Sequence, residues 1–207
     1  MDRALLIDAL VEREWEMFST VQNVGGSADC QHEPETFRIM RTSQLNTWDQ
    51  DLLESYLCDL QEAKEKGRNL MTEKYAHMMR ETFPDEYEAI KKELPPVSGE
   101  CERMINEIVR IHITWQKEVA ERYPLLLSHA RPAHTEGGHI ASLETYLRGE
   151  LLTYSEKTVR LYYEKTLAKA NRGDNEAQEN LLNQVKQYGF DSLDACEAHL
   201  ASKKKRA

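Results

Sequence analysis

The sequence predicts an all-α fold, a single-domain multi-helix bundle of about nine helices, and three observations carry that prediction. Apolar residues recur at three- and four-residue spacing along nearly the whole chain. The six prolines and nine glycines fall almost entirely between those stretches, where they end elements. No repeat of fixed period and no low-complexity linker divides the 207 residues. One helical domain is therefore expected over 1–202, followed by a basic, disordered tail over 203–207.

Leu5, Leu6, Ala9, Leu10, Trp15, Met17 and Phe18 mark the first amphipathic helix, which runs to about Val21 and stops at Asn23 to Gly26. Pro34 suits the first turn of a second, short helix through Phe37 and Met40. The rival reading there is a small hairpin near Thr36, since β-branched and aromatic residues concentrate between Thr36 and Met40. Thr47 and Gln50 read as a capping box for a third helix carrying Leu52, Leu53, Tyr56, Leu57 and Leu60, ended by Gly67. Asn69 caps a fourth helix, broken at Phe83-Pro84. A short helix from Asp85 closes at Pro95-Pro96, and Ser98 opens the longest one, whose wide apolar stripe from Met104 to Val119 predicts burial. Ser128 to Ala141 is irregular. Ser142 and Ser155 cap the next two helices, and two more span about Asn175 to Tyr188 and Ser192 to Ala201.

The composition removes several function classes. A formal charge of -9 is unsuited to general nucleic-acid binding, which needs a basic face to neutralise phosphates. No stretch has the apolar length of a membrane span, and acidic residues interrupt the N-terminus where a signal peptide would be apolar. The four cysteines, Cys30, Cys58, Cys101 and Cys196, contain no CxxC pair, which fits reduced thiols and a cytoplasmic protein.

Several polar stretches exceed what helix ends require. Asn23, Gly25 and Gly26 form a loop that is either a plain helix stop or a site whose backbone N–H groups suit an anion, with Arg38 or Arg41 able to add bidentate charge. Cys30, beside Gln31, is a nucleophile if the next helix favours its thiolate, and otherwise an inert thiol. Arg68, Asn69, Glu73 and Tyr75 cluster at a helix start, with His77 one turn beyond Glu73; a surface pair explains that spacing as well as a metal does. His112 lies on the apolar side of the long helix, as a core histidine or an acid–base group. His129, His134 and His139 share the irregular segment, read as a loop or lid. Glu144, Tyr146, Arg148 and Glu150 occupy one helix, as acid–base groups or as salt bridges. Gly149 within that helix costs about 1 kcal/mol relative to alanine and implies close approach of another helix or a ligand.

These stretches resemble a bacterial family, domain of unknown function 4125, along nearly the whole chain. The resemblance rests on EWEMF (14–18), NVGG (23–26) with Cys30-Gln31, TFRIMR (36–41) with Ser43-Gln44, GRNL (67–70) with EKYA (73–76), and ETYLRGEL (144–151). Ser27 stands where the family pattern carries arginine, which removes a cation from the glycine loop. The resemblance implies no activity, but it implies that the polar stretches belong to one pocket, and it adds Glu14 and Glu16 to the candidates.

The leading expectation is a polar pocket for a small polar or anionic metabolite. Arg41, Arg68 and Arg148 clamp acidic groups, Glu73, Glu144 or Glu150 serves as acid or base, Tyr75 or Tyr146 orients the substrate, and Cys30 is an optional nucleophile. A second expectation is a metal–carboxylate bundle using Glu14 or Glu16, Glu73, His112, Glu144 and Glu150. The third is a non-catalytic adaptor with a protein partner. No particular cofactor is implied.

Overall fold

The computed structural model describes residues 2–22, 29–128, 131, 133 and 141–204, with the side chains of residues 29 and 30 excepted. Among them the chain forms ten α-helices, one 3-10 turn and no strand. In order these are α1 (Arg3–Ser19), the 3-10 turn (Asp29–His32), α2 (Pro34–Leu45), α3 (Gln50–Glu65), α4 (Leu70–Thr82) and α5 (Pro84–Ile90). The long α6 (Gly99–Arg122) follows, then α7 (Leu143–Leu151), α8 (Glu156–Arg172), α9 (Glu176–Gln187) and α10 (Leu193–Lys204). Among the described residues no helix is long and apolar enough to cross a membrane.

Local chemistry sets most boundaries. The side chains of Asn69, Ser98, Ser142, Ser155 and Asn175 each accept backbone N–H bonds at the first turn of their helix, and Asp2 does so for α1. Gly67, at φ 66°, takes the left-handed conformation that ends α3. Two expectations are corrected. The segment near Thr36 is helical throughout: Pro34 occupies the first turn of α2, and Phe37 stacks on Phe18 with ring centroids 5.2 Å apart. Thr47 and Gln50 form no capping box, because the Thr47 hydroxyl donates to the Gln44 carbonyl and to Glu176, while Gln50 donates to Glu54. Helix α10 also continues through Lys204, two residues into the segment expected to be tail.

The main core is built from α1, α2, α3, α4, α6, α7 and α8, with Leu10, Leu45, Leu53, Tyr56, Leu60, Ile108, Leu151 and Val159 fully buried. A smaller cluster joins the end of α6 to α9 and α10 through Val119, Tyr123, Val185, Leu193 and Cys196. Helix α7 lies against α4 and α6. Gly149 makes its contact with α4 possible: a Cβ there would sit 2.7 Å from Met78 Cγ and 2.9 Å from the Lys74 carbonyl oxygen.

Alanine at position 149 gains helix propensity but strikes backbone, which cannot rotate aside. Gly149→Ala is expected to lower stability by about 1–3 kcal/mol, the usual range for overpacking. Equilibrium urea unfolding checks this, and an unchanged midpoint would contradict the close packing of α4 on α7.

Candidate functional site

Four helices each send one charged side chain inward. Glu14 of α1, Arg41 of α2, Lys74 of α4 and Glu150 of α7 are 0%, 6%, 2% and 3% exposed. Each sits in an apolar helical stripe: Glu14 with Leu10, Met17 and Phe18, Arg41 with Leu45, Lys74 with Leu70, Met71 and Met78, and Glu150 with Leu147 and Leu151. A stripe that must be buried carries its charged member with it, so the charges need partners inside.

Arg41 is the hub. Its Nε donates to Glu14 Oε2 at 2.7 Å and its Nη2 to Glu14 Oε1, a bidentate pair. Its Nη1 donates to Gln44 Oε1 at 2.8 Å and to Glu150 Oε1 at 3.1 Å. Lys74 Nζ donates to Glu150 Oε2 at 2.6 Å. The Tyr56 and Tyr154 hydroxyls donate to Glu14 Oε1 and Glu150 Oε1, each at 2.7 Å. Two carboxylates thus meet two cations, and the cluster carries no net charge. Lys74 Nζ also lies 3.4 Å from the centroid of the Tyr146 ring, which the Arg131 guanidinium approaches to 4.9 Å.

Burial opposes ionisation throughout this cluster, and the partners decide the outcome. Desolvation would raise the Glu150 carboxyl, yet Arg41 and Lys74 hold it well below the usual carboxylate range. For Arg41, desolvation is outweighed by Glu14 and Glu150, which keep the guanidinium charged far above its ordinary value. Burial, and then the adjoining carboxylates, push the Tyr56 and Tyr154 phenols well up, so both stay neutral donors.

The same helix α7 also borders an open cleft of about 400 Å³. Glu102, Ile105 and Asn106 of α6 form one wall, Glu144, Thr145, Arg148 and Leu152 the other, and Arg80 and Glu81 come from the last turns of α4. Arg148 is held by Asn106 Oδ1 and by Glu144 Oε1, the latter at 3.2 Å. Arg80, Glu81 and Glu102 make no side-chain hydrogen bond or ion pair among the described residues.

The family described as Protein of unknown function (DUF4125) matches residues 4–198. The chain belongs to this family. No curated protein and no solved structure matches it.

The stretches that carry the DUF4125 resemblance meet in part. Glu14, Arg41 and Glu150 join in the buried network, and Glu144 and Arg148 line the cleft on another side of α7. Arg68 instead pairs with Glu73 through two bonds of 2.7 and 2.6 Å. Asn69 caps α4 and donates to the Met17 carbonyl, and Gln31 donates to the Phe18 and Val21 carbonyls, so both tie down the end of α1. Tyr75 packs, half-buried, against the main core. Asn23, Gly25, Gly26, the Cys30 side chain and His129, His134 and His139 lie outside the described residues.

The six residues of the metal–carboxylate reading are distributed rather than gathered. Glu14 and Glu150 are engaged by cations, Glu16 pairs with Lys64 at the surface, Glu73 with Arg68, and Glu144 with Arg148. His112 stands apart, against Trp115 and Tyr162. Burial lowers its pKa, as it does that of His77, whose ring nitrogens have no hydrogen-bond partner among the described residues. Among the described residues no three His, Cys, Asp or Glu side chains form a group that could hold a metal ion.

Sequence reasoning passed over Lys74, Gln44, Tyr56 and Tyr154 in the network, and Arg80, Glu81, Glu102 and Asn106 in the cleft. It also missed a second buried network. Lys165 and Lys169 of α8 both donate to the Thr47 carbonyl, Lys169 Nζ lies 3.2 Å from Glu176 Oε2, and Tyr162 donates to Glu176 Oε1 at 3.3 Å. Burial lowers the Lys165 amine to about 8. The signal was present for the lysines: Lys74, Lys165 and Lys169 interrupt otherwise inward-facing stripes.

Arg41→Met removes the hub and strands two buried carboxylates, so a loss of about 3–5 kcal/mol is expected in urea unfolding. The Glu150 linkage gives a pH test. Its folded pKa is depressed, so its contribution is fully present above the unfolded carboxyl value of about 4.3 and is lost as pH falls below it. The stability advantage of the native chain over Glu150→Gln is therefore expected to be largest near pH 7 and to shrink toward about pH 3. A difference that stays constant would contradict the ion pairing.

Proposed function

We propose that the protein binds a small polar metabolite carrying an acidic group in the cleft between α4, α6 and α7. The buried network serves as the scaffold that holds α7 in place. The observation that carries this reading is Arg80, an arginine in a concave wall with no counter-ion among the described residues. Concave surfaces concentrate the field of their charges, and a planar guanidinium binds carboxylate or phosphate in bidentate fashion. Arg148 lines the same cleft but is already matched to Asn106 and Glu144, which leaves Arg80 as the cation open to a ligand.

Acid–base chemistry by Glu150 finds no support, since a buried carboxylate held ionised by Arg41 and Lys74 has no proton to give at neutral pH. Of the acid–base candidates, Glu144 lines the cleft. The reading is therefore a binding site first, with a reaction at Glu144 as an extension of it.

Thermal-shift screening of the purified chain against carboxylate and phosphate metabolites tests this. At least one ligand is expected to raise the unfolding midpoint, and Arg80→Ala is expected to weaken its binding about 10- to 100-fold, the worth of one charge-assisted contact. Arg80 is exposed, so its loss leaves the core intact. No response from any acid, or equal affinity in Arg80→Ala, would overturn the proposal.

A further inference from the structure

The charges left over in the cleft narrow the class of ligand, given the binding reading above. Of the two cations there, Arg148 is already matched to Glu144 and Asn106, which leaves Arg80. Glu81 and Glu102 come from different helices and, like Arg80, make no side-chain hydrogen bond or ion pair among the described residues. The available groups are therefore one guanidinium and two carboxylates. Ile105 and Leu152 add an apolar surface to the same lining, and Ser142 and Thr145, whose hydroxyls lie 3.0 Å apart, add polar groups at the start of α7.

Simple ligand classes each leave a repulsion in this arrangement. A dicarboxylate satisfies Arg80 but sets its second acid among Glu81 and Glu102. A diamine satisfies those carboxylates but sets a cation against Arg80. Like charges held close in a recess repel more than they would in bulk water. An uncharged ligand leaves all three groups to solvent and gains nothing from them.

We infer that the cleft takes a zwitterion: a molecule of about the size of an amino acid that presents its acid group to Arg80, its protonated amine to Glu81 and Glu102, and an aliphatic portion to Ile105 and Leu152. The volume of about 400 Å³ lies toward the lower end for small-ligand sites, which suits a compact molecule. Opposite charges on one ligand also make binding orientation-specific, because turning it end for end places both charges against like charges.

Isothermal titration of the full chain at low salt, with a panel of aliphatic L-amino acids, their matched primary amines and their matched carboxylic acids, tests this. At least one amino acid is expected to bind ten times or more tightly than both of its single-charge counterparts. Arg80→Ala is expected to reduce that amino acid to the affinity of its amine, and Glu102→Gln to weaken the amino acid and the amine while leaving the acid unchanged. Both residues are exposed, and circular dichroism confirms that each variant is folded. Should a carboxylic acid bind as tightly as its amino acid, with Arg80→Ala still weakening it, the zwitterion inference falls and the cleft reading stands. If neither amino acids nor acids bind, both fall.

Discussion

The structure depends on the chain of charges Glu14–Arg41–Glu150–Lys74. Removing four ionised groups from water costs more than a comparable apolar packing would, and their mutual attraction returns that cost only when every hydrogen bond is made. Here both oxygens of each carboxylate are bonded, and the guanidinium serves two carboxylates and the Gln44 amide. Specification is a better account of such a cluster than raw stability. Its members come from α1, α2, α4 and α7, and a packing that separates any pair leaves a bare charge in the interior. The network therefore rejects alternative arrangements of those four helices more strongly than apolar contacts would, because apolar contacts tolerate sliding.

An aromatic cluster joins this network to the second one. Trp48 lies 5.6 Å from Tyr56 and 5.2 Å from Tyr162, centroid to centroid, and Tyr56 lies 4.7 Å from Tyr154. The three tyrosines all turn their rings to Trp48 and their hydroxyls to charged groups, Tyr56 and Tyr154 to the first network and Tyr162 to Glu176 in the second. Aromatic rings suit this boundary because each offers an apolar body and a single polar tip. Burial, and then the adjoining carboxylates, keep each phenol protonated as a donor.

What was legible in the sequence was what is decided locally. The caps at Asn69, Ser98, Ser142 and Ser155 follow from a side chain two or three residues from the amide it serves, and Gly149 reads as a close approach because nothing else justifies glycine there. The Thr47 capping box failed for the converse reason: its hydroxyl is taken by Glu176, 129 residues away. The strand reading near Thr36 failed because Phe37 finds its stacking partners on α1. Arg41 and Glu150 were candidates from their polar stretches and Glu14 through the family resemblance, but their pairing spans 27 and 109 residues and exists only once the helices pack. The cleft residues carried still less signal. Arg80, Glu81 and Glu102 look like any solvated helix face, and the concavity that distinguishes them belongs to no single helix.

Helix α7 connects the buried network to the cleft. Glu150 is pinned by Arg41, Lys74 and Tyr154, and Gly149 rests against the Lys74 carbonyl, so a translation of α7 breaks buried ion pairs and drives backbone into backbone. The opposite side of the same nine-residue helix supplies Glu144, Thr145 and Arg148 to the cleft. The matched charges of Glu150, Arg41 and Lys74 thus fix the helix from inside, while Arg80, Glu81 and Glu102, without counter-ions among the described residues, line the opening. A wall fixed in this way gives the proposed ligand a site whose geometry is set beforehand, and little conformational entropy remains to be lost when it binds. In the proposed site the two kinds of charge would thus do different work, the buried, satisfied kind fixing the wall that the exposed kind lines.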